Sequence, residues 1–73
     1  MNMLQAMMDV VNMAKIEGCL IYLYESPTSK EFRASKKYWK DWLFRAYPGG
    51  RMEFSVLGKE LFDKNNLEVQ NES

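Results

Sequence analysis

No helix or strand can run through Pro48-Gly49-Gly50. Proline disfavours helical geometry in the residue before it, here Tyr47, and the two glycines let the chain reverse. The chain must therefore be assembled from what lies on either side of that break. On its N-terminal side stands Pro27–Tyr47 (PTSKEFRASKKYWKDWLFRAY), which holds six of the ten aromatic residues. Between Ser29 and Arg51 there are seven basic residues against Glu31 and Asp41, a net +5.

The spacing in this stretch predicts a helix from Thr28 to Ala46. Thr28 and Glu31 stand as a capping box does, and Pro27 ahead of them costs nothing at a helix start. Phe32, Trp39, Leu43 and Ala46 recur at helical spacing with Ser35 among them, and Trp42 widens the apolar side. On that reading Trp39 is core, and Lys30, Arg33, Lys36, Lys37 and Lys40 look outward.

Residues 3–17 read as a first helix. Asn2, Gln5, Asp9 and Asn12 form a narrow polar stripe; Met3, Leu4, Met7, Met8, Val10, Val11, Met13 and Ala14 occupy the rest. Gly18 suits a left-handed C-terminal cap. So apolar a helix has two uses for its methionines, filling a core or making an adaptable partner or dimer surface. Cys19–Tyr24 (CLIYLY) is short, apolar and bounded by Gly18 and Ser26-Pro27, and is expected as a buried strand.

Beyond the break two readings compete. In one, WLFRAY and RMEFSV form a hairpin around Pro48-Gly49-Gly50, with Met52, Phe54 and Val56 alternating with polar residues. Leu57–Lys64 then closes the fold as a short helix. In the other, a second helix begins near Glu53 with Phe54, Leu57 and Leu61 on one side, weakened by Gly58. Asn65-Asn66 is expected to stop the helix in either case. The expected fold class is a small α+β domain over residues 1–66: N-terminal helix, short strand, long amphipathic helix, then a hairpin plus helix or a second helix. Residues 67–73 are expected as a frayed tail.

Composition narrows the function. With no histidine and one cysteine, a structural zinc site cannot be built, and no acidic cluster suits calcium. Cys19 has no histidine partner to activate it, and Gly49-Gly50 is not followed by the Lys-Ser/Thr of a phosphate loop. The expectation is a binding module without enzymatic activity, metal or other cofactor. A single cysteine and the lack of a basic, uninterrupted apolar leader point to the cytoplasm, and Cys19–Tyr24 is too short to span a bilayer.

The charge is zero overall but segregated, a basic middle between acidic ends. The residues Lys36–Phe62 resemble in texture, without a diagnostic motif, the small winged-helix domains of phage regulators and replication proteins. The segment's own two readings each offer a DNA-binding regulator, with Arg45 and Arg51 flanking a hairpin tip as a wing or with a helix-turn-helix over residues 29–64. The sequence alone adds that lysine and arginine interleaved with aromatics can neutralise phosphates and stack on bases. The expected nucleic-acid contacts are Arg33, Lys36, Lys37, Lys40, Arg45 and Arg51. The alternative is a protein-binding inhibitor or adaptor of the phage or mobile-element type. It would act through Met3, Met7, Val10, Tyr38, Phe44 and Tyr47. Under either function a homodimer through the N-terminal helix is expected.

Overall fold

The computed structural model describes residues 2–72, with side chains described through Asn65. The first helix, α1, spans Met3–Glu17. The Asn2 side chain accepts from the Gln5 amide at 2.7 Å, satisfying one unpaired N–H of the first turn. Gly18 ends the helix in the left-handed region, φ 67°, donating its amide to the Ala14 carbonyl. Met3, Ala6, Met7, Val10 and Ala14 form the buried side.

Four strands follow: β1 (Ile21–Glu25), β2 (Phe32–Ser35), β3 (Phe44–Ala46) and β4 (Met52–Phe54). They make one antiparallel sheet in the order β2-β1-β3-β4. The last element, α2, spans Val56–Glu72. The α+β class and the N-terminal helix are as expected. Of the two readings beyond the break the hairpin around Pro48-Gly49-Gly50 is the one formed, where Tyr47 donates its amide to the Arg51 carbonyl and Gly50 takes φ 103°.

The long central helix is not formed. Thr28 and Ser29 belong instead to the β1–β2 turn, where Ser26 donates its amide to Glu31 and accepts from the Lys30 amide. Serine and threonine cap helices and close turns through the same short-range hydrogen bonds, so the capping signal is ambiguous. What decides between them is β1. Its backbone needs partners along both edges, and β2 and β3 supply them. With no helix among residues 19–55, neither a winged-helix nor a helix-turn-helix arrangement exists in this fold. Nor do Asn65-Asn66 stop α2, which continues to Glu72. The expected tail is thus helical in its backbone through Glu72, and its side chains lie outside the described residues.

The sheet has two dissimilar faces. Register pairs Leu23 with Ala34 and Phe44, Phe44 with Phe54, and Ile21 with Ala46, all on the face that α1 covers. Phe44, Ile21, Leu23 and Val10 are the largest fully buried side chains. On the same face α2 packs Phe62 against Phe54. Its start is built closely: Ser55 Oγ accepts from the Gly58 amide at 2.9 Å and donates to the Trp42 carbonyl at 2.7 Å. A methyl group on Gly58 would lie 1.7 Å from the Leu43 carbonyl oxygen, so the helix touches backbone there.

Tyr22, Tyr24, Arg33, Ser35, Arg45 and Glu53 share the opposite face. Residues 36–43 run across it from edge strand β2 to β3 on the far side of β1. Among the described residues no helix is long and apolar enough to cross a membrane.

Candidate nucleic-acid interface

The middle of the crossing loop is tethered by Tyr24, as its later part is by Ser55. Tyr24 points away from α1, and its hydroxyl donates to the Lys37 carbonyl at 2.8 Å while accepting from the Trp39 amide at 2.6 Å. Burial pushes this phenol above its ordinary 10.0, and the Trp39 hydrogen bond offsets part of that rise. Both bonds fall on backbone, so the loop is placed regardless of its side chains. Tyr38 and Trp39 are left 56% and 46% exposed, although Trp39 meets Tyr24 edge-on at 5.0 Å and Tyr38 meets Tyr22 likewise at 5.6 Å.

Beside this pair runs an alternating stack. The Arg45 guanidinium lies 4.5 Å from the centre of the Trp42 ring and 5.8 Å from that of Tyr47, and the Arg51 guanidinium lies 5.1 Å from the same Tyr47 centre. Glu53 accepts from Arg45 at 3.1 Å and from Arg51 at 2.9 Å, one through each oxygen. The hydrogen bond from Arg45 holds the Glu53 carboxyl below its ordinary 4.5. Arg45 Nε is buried without a partner among the described residues.

Five of the six expected phosphate contacts belong to this side of the molecule. Arg33 projects from β2 beside Tyr24; Lys37 lies 5.4 Å from the Trp39 ring centre; Lys40 is exposed in the loop; Arg45 and Arg51 form the stack. Lys36 is turned to the margin, 2.7 Å from Glu17 at the end of α1, and that hydrogen bond raises its ammonium above the ordinary 10.5. Asp41 and Glu53 are the carboxylates on the same side.

The expected partner-binding residues divide. Tyr38 is exposed and Tyr47 half-buried on the aromatic face. Met3, Met7, Val10 and Phe44 are buried inside the monomer and have no surface to offer a partner or a dimer seam. The exposed apolar residues of α1 are others, Leu4, Met8 and Ile16. Trp39, which helical spacing assigns to a core, stands half in solvent.

Tyr24, Asp41 and Glu53 are the residues that sequence reasoning missed. A signal for Tyr24 existed: in Ile21-Tyr22-Leu23-Tyr24 the purely apolar residues alternate with the phenols, which in a strand places both hydroxyls on one face. Nothing comparable marks Asp41 or Glu53.

Between the crossing loop and the β1–β2 end of the sheet lies an open cleft of about 350 Å³, lined by Tyr24, Glu25, Arg33, Ser35, Trp39 and Asp41 among others. Such a domain, helices on one face of a sheet and an aromatic loop on the other, defines a fold type without a chemistry attached. No family model matches the chain, nor does any curated protein or solved structure.

Proposed function

We propose that this protein is a small nucleic-acid-binding regulator without enzymatic activity, acting in the cytoplasm through the face opposite α1. The observation that supports it is the company the cations keep. Arg33, Lys37, Lys40, Arg45 and Arg51 share one face with the exposed rings of Tyr38 and Trp39 and with the carboxylates Asp41 and Glu53. Cations supply phosphate attraction and exposed rings supply stacking, and nucleic acid is the partner that uses both.

Fluorescence anisotropy with labelled mixed-sequence DNA tests this at low and moderate salt. Four phosphate contacts on a single strand predict roughly a 50-fold loss of affinity between about 50 and 200 mM salt. The combined change Arg33→Glu, Lys37→Glu and Lys40→Glu abolishes binding and leaves the melting temperature within a few degrees, because all three side chains are exposed. Binding that survives the triple change sinks the proposal.

A second reading, a protein-binding inhibitor or adaptor, has one observation in its favour: Leu4 and Met8, one turn apart on α1, are 56% and 53% exposed. Association through them would be nearly insensitive to salt and would be lost in Met8→Glu.

A further inference from the structure

The cleft beside Trp39 has the wrong charge for a phosphate and the right lining for a base. Its walls hold one guanidinium, Arg33, and one loop carboxylate, Asp41, while register turns Glu25 toward the helix-covered face with Phe32, so a phosphodiester entering it would meet no net positive charge. The remaining cations of the face, Lys37 and Lys40, stand in the loop that forms its rim. A strand bound to this protein would therefore keep its phosphates outside, against the lysines, and send a base inward. A volume of about 350 Å³ lies at the small end of ligand pockets, enough for one base and its sugar and far too small for a duplex. Trp39, nearly half exposed and held in place by Tyr24, offers the ring on which that base would stack. The fold has no helix on this face to enter a major groove.

The polar groups narrow the base. A carboxylate accepts two hydrogen bonds at once from N1–H and N2–H of guanine. Adenine offers it one donor group beside a repelling acceptor. Arg33, which forms no ion pair among the described residues, can donate to guanine O6 and N7. Asp41 forms none either. Resting on the nucleic-acid reading above, we infer that the ligand is a single strand carrying a guanine that stacks on Trp39, with Asp41 and Arg33 reading its edge.

The test uses the full chain and three labelled probes of one length: a thymine strand with guanines at spaced positions, the same strand with adenine in their place, and the guanine strand annealed to its complement. The guanine strand is expected to bind about tenfold more tightly than the adenine strand, and tighter than the duplex by at least as much. Asp41→Asn lowers the guanine strand to the level of the adenine strand. Trp39→Ala weakens both single strands about tenfold, with far-ultraviolet circular dichroism checking that it stays folded. Equal affinity for the guanine and adenine strands, or a duplex bound as tightly as its single strand, overturns the inference while leaving nucleic-acid binding intact. Absence of binding to all three probes removes both.

Discussion

A methyl group is the smallest change a side chain can undergo, and at Gly58 it decides whether α2 can dock. By helix propensity alone, alanine in place of this glycine would add about 1 kcal/mol of stability. Its Cβ, however, would fall 1.7 Å from the Leu43 carbonyl oxygen. The obstructing atom is backbone, and the Ser55 hydroxyl bonds within the same few residues leave it no room to move aside. Steric overlap of this kind outweighs the propensity gain. Gly58→Ala is expected to destabilise the domain by about 2 kcal/mol or more, lowering its melting temperature on the order of 10 °C. An unchanged or higher melting temperature would mean that α2 contributes little by its contact with Leu43. From sequence this glycine reads as a defect in a helix, because close approach between distant backbones leaves no local mark.

At the scale of elements, the crossing loop depends on β1 more than on itself. Tyr24→Phe keeps the ring and removes both hydrogen bonds that place Lys37 and Trp39. The loss is expected to be about 1–3 kcal/mol, since the Trp39 amide and Lys37 carbonyl lose their partner. Amide exchange at Trp39 should accelerate more than exchange in α1. Equal protection at Trp39 in the variant would show that side-chain packing alone holds the loop.

The same dependence explains which elements were legible. The N-terminal helix announces itself through a cap residue at Asn2, a helical apolar pattern and Gly18. The hairpin announces itself through Pro48-Gly49-Gly50 between alternating residues. Residues 28–46 carry a helical pattern of rings that the fold does not use: Phe32 goes to one face of the sheet, Trp39 and Trp42 to the other. Propensity lost there to the unpaired edges of β1, a demand that no local window contains. The basic residues of the site could be named without the fold, but which share a face could not. Lys36 and Lys37 are neighbours in sequence, yet one turns to Glu17 and the other to Trp39.

At the scale of the whole molecule, titration should leave stability level through neutrality and reduce it at both ends. Glu53 has a carboxyl pKa depressed below 4.5, so its contribution is present above that value and is lost as the pH falls through the folded pKa. Tyr24 has a phenol raised above 10.0. The unfolded chain therefore releases that proton first, and stability declines as the pH rises past about 10. Lys36, raised above 10.5 by Glu17, also loses its stabilising contribution at alkaline pH. With no histidine in the chain, the melting temperature should be flat between about pH 6 and pH 7, below the range in which thiols and α-amino groups titrate. A marked slope inside that window, followed by calorimetry, would contradict this account.

The two faces of the sheet also sort the aromatic residues by kind. Phe32, Phe44, Phe54 and Phe62 all belong to the core under the helices. Tyr22, Tyr24, Tyr38, Tyr47, Trp39 and Trp42 all belong to the other side, where their polar tips can find partners. Every strongly emitting chromophore is thus on the loop side, and the helical side is dark. Intrinsic fluorescence will follow the loop and whatever binds it, far-ultraviolet circular dichroism, dominated by helices, will follow α1 and α2, and one unlabelled sample can report on its two halves separately.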